Sequence, residues 1–323
     1  MRPLVSFVIP VKNDAQRLRR CLASIVANEY PRELIEIIVV DNHSSDGSGR
    51  VAREYGAVVL HSATGSVAEL RNRGARASLG TILAFADSDH EIDSRWIDTA
   101  VDVLSVRGIA ATGAPCVSEP CANWVQQQYD GLRERLVARQ DVTWLGSGNM
   151  AIKRAAFQQV GGFNADLTAC EDVDLCNRVL TAGHRIVADP RLRSVHFGDP
   201  RTLKALFFGE LWRGRDNLRV TFRGPKTLRS LRSALIPLAQ LWLLCACLIS
   251  LAMGWWAAAL IELLVALAPA ALRAIVMLKR KMRPSLSHTA AAAAQAFAVA
   301  VTFDAARAFS LLLAGSHQTR RTA

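Results

Sequence analysis

The 323-residue chain is 51% hydrophobic and 21% charged, which excludes a disordered or low-complexity polymer. Its net charge of +11 is uneven: residues 1–200 hold 22 Lys and Arg against 24 Asp and Glu, residues 201–232 hold nine against two, and residues 233–323 hold eight against two. This basic excess borders the most apolar stretch, so it reads as a membrane flank and not as a nucleic-acid-binding face.

The seven cysteines form no CxxC pair, so neither a zinc site nor a disulfide framework is expected, and reduced cytosolic thiols are. The first apolar run, LVSFVI from Leu4, stops at Pro10 and suits a buried strand better than a signal sequence. Further strands are expected at IEIIVVD from Ile35, AVVLH from Ala57 and TILAFADSD from Thr81. Amphipathic helices fit between them at Ala15–Ala27, Ser48–Tyr55 and Ser66–Leu79. Strand–helix alternation with continuous apolar strands predicts an α/β fold on a mostly parallel sheet covered on both faces. Ligands of such sheets bind beyond the carboxyl ends of the strands, where Asn13 and Asp14, Asp41 and Asn42, and Asp87 and Asp89 cluster. Residues 113–200 are less regular, with turns at Gly146, Gly148, Gly161 and Gly162. They also hold a helix from Glu171 to Ala182 and short strands around Ile186 and Val195.

Residues 201–232 read as a basic amphipathic juxtamembrane helix suited to an anionic surface. Ser233 to Leu272 then carries a single ionisable residue, Glu262. As one helix this run would be about 60 Å long, twice a ~30 Å hydrocarbon core, so it should fold into a hairpin over about 233–278. Gly254, Trp255 and Trp256 supply the break, and Arg273, Lys279, Arg280, Lys281 and Arg283 follow. The positive-inside rule puts both flanks in the cytoplasm. A third apolar helix, about 289–314, contains Asp304 and Arg307 on one face, where they can pair. It is either a third crossing or a helix lying in the interface. Arg320 and Arg321 favour a cytoplasmic C-terminus.

Asp87-Ser88-Asp89, at the exit of an apolar strand, has the spacing to hold a hard cation together with ribose or phosphate oxygens. In its company the segments FVIPVKND, VVDNHSSDGS, ELRNRGARASLGTILAFADSD, GSGNMAIKRAAFQQVGGFN, CEDVDLCNRVLTAGHRI and SVHF follow in order. Together, over about residues 4–200, they resemble the family 2 glycosyltransferases of GT-A fold, a Rossmann-like mixed sheet, and the apolar tail resembles that of membrane-associated members. The resemblance implies a catalytic domain at 1–200, the juxtamembrane segment at 201–232 and a membrane domain at 233–323. Residue by residue, it implies that Pro10 and Val11 line the nucleobase site and that Asp41 bonds the base. Arg71 would contact base or phosphate, Asp87 the ribose, and Asp89 would bind Mg2+ or Mn2+ with help from Asp87 and His196. Gly148 and Asn149 would shape the sugar site. Glu171-Asp172 matches the family's ED motif, with Asp172 as general base.

The implied reaction is a metal-dependent, inverting transfer of one sugar from a nucleotide sugar (UDP-sugar first, GDP-sugar second). Its acceptor would be lipid-linked, at the cytoplasmic face of the inner membrane. Cations and a divalent metal suit a leaving diphosphate, and a carboxylate suits removal of a hydroxyl proton. Two departures bear on this. His90 follows Asp89 where many relatives carry an acid, and the QxxRW motif of processive synthases is absent. The nearest text, ELWRGR, still offers Arg213 and Arg215 to a diphosphate or lipid phosphate. The rival readings are a nucleotidyltransferase of related fold and a catalytically silent membrane scaffold.

Overall fold

The computed structural model describes residues 2–133, 135–225, 227–280 and 290–313. It divides into two units, one of residues 1–119 and 134–198, the other of 120–133 and 199–323. Lys281, Arg283, Arg320 and Arg321 lie outside the described residues.

In the first unit, strands β1 (Val5–Val11), β2 (Ile35–Asp41), β3 (Val58–His61) and β4 (Ile82–Ala86) alternate with α1 (Ala15–Val26), α2 (Ser48–Glu54) and α3 (Val67–Ala77). The chain continues through β5 (His90–Ile92), α4 (Trp96–Ser105), β6 (Ile109–Gly113) and β7 (Val117–Ser118). After α5 (Trp124–Asp130), which belongs to the second unit, come β8 (Gln140–Asp141), β9 (Asn149–Lys153) and α6 (Arg154–Gln159). Helix α7 (Glu171–Thr181), β10 (Arg185–Ala188) and β11 (Ser194–His196) complete the unit. The large sheet runs β3-β2-β1-β4-β9-β6-β10-β8, and a small one runs β5-β11-β7.

Branched and aromatic side chains buried on both faces (Val8, Ile9, Leu83, Phe85) explain why β1 and β4 occupy the middle of the large sheet. The sheet is mixed: β9 runs antiparallel to both β4 and β6, and β8 antiparallel to β10. Met150, Ala151 and Ile152 of β9 are as fully buried as the parallel strands, and burial, which governs composition, carries no record of strand direction. The core fills with paired rings, Phe85 against Phe157 and Phe163 at 5.3 and 4.9 Å, and Phe7 against Trp96 at 5.6 Å.

The second unit starts from α8 (Leu203–Arg213), capped by the Thr202 hydroxyl, which accepts from the Ala205 N–H. The single helix expected over 201–232 is interrupted after Arg213, and α9 (Asn217–Arg223) follows as a separate segment. Helices α10 (Leu228–Ala252) and α11 (Trp256–Arg280) form the hairpin, turned at Gly254 with φ +74°. Gln240 donates to the Ala266 carbonyl and Cys247 meets that of Ala259, the antiparallel register. With α12 (Ala290–Ser310) and its 3-10 extension to Leu313, three helices among the described residues are long and apolar enough to cross a membrane.

Asp304 and Arg307 do not pair with each other. Asp304 takes Arg273 of α11 at 3.0 Å, and Arg307 takes Glu210 of α8 at 2.7 Å. A side chain so apolar in its surroundings is stabilised by whichever opposite charge the packing brings closest, and here those charges sit on other helices.

Candidate active site

The loops that follow β1 and β2 hold each other in strained conformations. Asn13 and His43 have φ of +52° and +56°, values unfavourable for side chains other than glycine. Cross-loop bonds keep them there: the Asn13 N–H donates to Ser44 Oγ, and the Ser45 N–H donates to Asn13 Oδ1. The Ala15 N–H donates to Asp46 Oδ2. Asp41, at the end of β2, is buried, accepts the Ser44 N–H at 3.0 Å and lies 3.6 Å from His61 Nδ1. Val11 is buried and Pro10 half-buried on the neighbouring strand. The nucleobase residues expected at these strand ends are therefore adjacent, with Val11 directly opposite Asp41.

At the exit of β4, Asp89 forms a cluster with His90 and His196 in which one ligand atom from each lies within 4.8 Å of the others. His196 Nε2 is 3.3 Å and His90 Nε2 4.0 Å from the Asp89 carboxylate, and Arg17 approaches it at 3.8 Å. Burial alone would raise the Asp89 pKa. The hydrogen bond and charge of His196, aided by His90 and Arg17, instead hold it below the usual carboxylate range.

The cluster fits a divalent cation on two observations. Asp89 Oδ1 is buried and accepts no hydrogen bond. Gly148 and Gly198 also form a cradle: a Cβ on Gly148 would lie 3.0 Å from His90 Nε2, and one on Gly198 2.9 Å from His196 Nε2 and still closer to Asp89. Asp87 is not one of this trio, although its Oδ2 faces the same cradle, 2.5 Å from where a Cβ on Gly148 would lie. Its Oδ1 accepts from Arg71 at 2.6 Å.

Arg71 in turn is not placed to meet a base. It is 3% exposed, and its other terminal nitrogen donates to Glu171 Oε1 at 2.7 Å, so one guanidinium links the end of β4 to the start of α7. Helix α7 begins after Cys170, whose φ of +59° turns the chain sharply into it. Glu171 is buried in this bridge, while Asp172 is half-buried and accepts the Val173 N–H at 2.7 Å. Burial, then the Glu171 charge, push the Asp172 pKa up to about 7 against the pull of the Val173 N–H and Arg71.

Asn149, expected near the sugar, spends its side chain elsewhere: it accepts from Trp96 Nε1 and donates to the carbonyls of Ala114 and Leu192. Only its backbone is left to shape a wall. Arg213 and Arg215 belong to the second unit, where Arg213 pairs with Glu210 at 3.0 Å. Sequence reasoning passed over Arg17 and the ligand-like placement of His90. Arg17 had a signal, since it sits one helical turn after Asp14 and bonds it at 2.8 Å.

Residues 6–161 match the family described as Glycosyl transferase family 2. The glycosyltransferase AglE of Haloferax volcanii is 28% identical over 221 residues, covering 65% of this chain and 69% of that protein. The pre-mycofactocin glycosyltransferase of Mycobacterium tuberculosis is 28% identical over 211 residues, 61% of this chain but 43% of that protein. Among solved structures, the mannosyltransferase PcManGT from Pyrobaculum calidifontis, in complex with GDP-Man and Mn2+, has a TM-score of 0.60 at 20% identity. It covers 94% of this chain and 87% of that one, a likeness of fold.

Proposed function

We propose that this chain is a family 2 glycosyltransferase that moves one sugar from a nucleoside-diphosphate sugar to a lipid-linked acceptor, with inversion at the anomeric carbon. The observation that carries this reading is the Arg71 bridge, which ties the strand end bearing Asp87 and Asp89 to the helix start bearing Asp172. A buried guanidinium between two carboxylates fixes both segments at once, so the leaving-group side and the base side of a displacement are held in register. Asp41, Val11 and Pro10 form the nucleobase wall, and Asp87 presents its free oxygen toward the ribose. Asp172 takes the proton of the attacking hydroxyl, for which a pKa near 7 is well matched. A divalent cation at the Asp89 cluster supplies charge stabilisation for the departing diphosphate. That PcManGT binds GDP-Man and Mn2+ supports both the donor class and the ion. The hairpin of α10 and α11 supports an acceptor that resides at the membrane, with the first unit on the cytoplasmic face where the basic flanks of the hairpin lie.

The test is a panel of UDP- and GDP-sugars given to the full chain in vesicles, with Mn2+ or Mg2+ and either a membrane-lipid extract or water-soluble glycosides. Radiolabel entering the lipid fraction from one nucleotide class is the expected result. Transfer to soluble glycosides alone would remove the lipid acceptor, and no binding of either nucleotide class would remove the whole reading.

A further inference from the structure

We propose that His61 is a specificity-determining residue of the nucleobase site, and that with Asp41 it selects a uracil-type imide over cytosine and guanine. The proposal deepens the glycosyl-transfer reading and rests on it for the placing of a base against Asp41.

Strand register brings the two side chains together. In the parallel pairs of the large sheet Val11 lies opposite Asp41 and Asp41 opposite His61, so the ends of β1, β2 and β3 stand in one row. Residues paired across a sheet project from the same face, which puts the imidazole beside the carboxylate. The Ser62 N–H donates to the Asp41 carbonyl at 2.8 Å and holds the chain leaving β3 against the end of β2. Gly49 of α2 closes a third side: a Cβ there would lie 3.0 Å from Asp41 Oδ2 and 3.6 Å from His61 Cε1. Its absence lets α2 pack directly on both groups.

Arg53 then fixes the imidazole tautomer. Its Nη2 lies 2.9 Å from His61 Nε2. A guanidinium only donates, so Nε2 accepts and the ring proton sits on Nδ1. Nδ1 is 3.6 Å from Asp41 Oδ2, longer than a hydrogen bond, so this N–H stands beside the carboxylate without being consumed by it. The His61 side chain is 62% exposed and that of Asp41 5%, so the donor is open to a ligand while the carboxylate offers little more than an edge. Asp41 Oδ1 already accepts the Ser44 N–H at 3.0 Å, which leaves Oδ2, the oxygen near His61, to face a base.

The row thus presents one acceptor with a donor next to it. The edge of uracil is an imide, a single N3–H between two carbonyls, and it matches: N3–H donates to Asp41 while one carbonyl accepts from His61 Nδ1–H. Cytosine has no N3–H and would set a bare ring nitrogen against the carboxylate. Guanine presents N1–H and its amino group side by side, a pair of donors that calls for both oxygens of a carboxylate, and one of these is turned to Ser44 here. Either wrong base leaves a polar group without its partner, which is what makes discrimination by hydrogen bonding steep.

The test titrates UDP, CDP and GDP into the full chain in detergent with Mn2+ present. UDP should bind at least about tenfold more tightly than CDP or GDP. A further arm, dTDP, carries the same imide and should share the preference over CDP; its ratio to UDP separates thymine from uracil as the source. His61→Leu should weaken UDP by about 2–10-fold, the scale of one hydrogen bond, and leave CDP and GDP within about twofold, so that the preference narrows. His61→Asn should restore it, because the Asn amide nitrogen takes the place of Nδ1, whereas His61→Gln, whose amide reaches the place of Nε2, should not. A merely structural His61 would weaken all nucleotides together and would not distinguish Asn from Gln. Nitrogen NMR of the His61 ring should report a proton on Nδ1 in the wild type and mixed tautomers in Arg53→Leu. CDP or GDP bound as tightly as UDP, or a wild-type proton on Nε2, overturns the proposal and leaves glycosyl transfer standing. Failure of every nucleotide to bind removes the transferase reading as well.

Discussion

Asp172 carries the most distinctive electrostatics outside the metal cluster. Burial and the adjacent Glu171 raise its pKa to about 7, which commits the residue to two opposite dependences on pH. For catalysis, a general base must be ionised, so single-turnover transfer should rise as pH increases through about 7. Asp172→Asn should lower transfer by about 10²–10⁴-fold and erase that limb, with little change in donor affinity. For stability the sign reverses. The folded-state pKa lies above the unfolded one, so the carboxyl stabilises fully below about pH 4, and this contribution is lost as pH rises through the folded value. A wild-type melting temperature that falls relative to that of Asp172→Asn as pH rises between those limits is the expected signature. A pH–rate limb surviving in Asp172→Asn would assign the base elsewhere. At this scale the residue types were readable in the sequence, because carboxylates gathered at several strand ends have few purely structural reasons to do so, whereas those in the first turn of α7 also suit the helix dipole. Their partners were not: Arg71 carries the same charge whether it meets a phosphate or two carboxylates, and only its 3% exposure tells which.

Elements show the same division. The apolar runs from Leu4, Ile35 and Thr81 became β1, β2 and β4 within a few residues, since continuous burial leaves an unmistakable composition. The short strand expected around Val195 is β11, but β5, three residues long, leaves no periodicity, and the register between the two is what sets His90 opposite His196. The same holds in the second unit. Helical spacing correctly put Asp304 and Arg307 on one face, but it could not name Arg273 and Glu210 as their partners across helices. The Arg273–Asp304 pair can be tested as an element-locking contact. Asp304→Leu, leaving the Arg273 cation among apolar neighbours, should destabilise the full chain in detergent by about 1–4 kcal/mol, between the values for interhelical polar contacts and buried ion pairs. Adding Arg273→Leu should recover most of that loss, as matched apolar replacement of a buried pair commonly does. Thermal unfolding of the two single variants and the double variant checks it. A double variant no better than the worse single one would show that each charge serves another partner.

For the molecule as a whole, the open matter is whether α12 stands as a third crossing or lies along the membrane surface. Length and hydropathy alone permit a crossing. Packing within the second unit points the other way. The α11 residues that share a buried cluster with α12 are Ala270, Ala274 and Met277, all in its last three turns, beside Lys279 and Arg280. The same cluster contains Leu206 of α8 and Val125 of α5, which are not apolar spans. Near the other end of α12, Arg307 bonds Glu210 of α8, which is 1% exposed and also accepts from Tyr129 of α5. If α12 crossed, residue 307 would lie toward the far leaflet and would draw α8, with Lys204, Glu210 and Arg213, into hydrocarbon, at a cost of several kcal/mol for each charge left without water. A surface position keeps every one of these charges at the interface and leaves Phe297, Phe309 and Leu312, each more than a third exposed, to face lipid. The prediction is therefore that Leu312→Cys and Trp212→Cys, each in a cysteine-free background, react with an impermeant maleimide from the same face of sealed, oriented vesicles. Met253→Cys, at the turn of the hairpin, should react from the opposite face. Labelling of Leu312→Cys together with Met253→Cys would make α12 a crossing. It would also require the Arg307–Glu210 contact to break when the chain inserts.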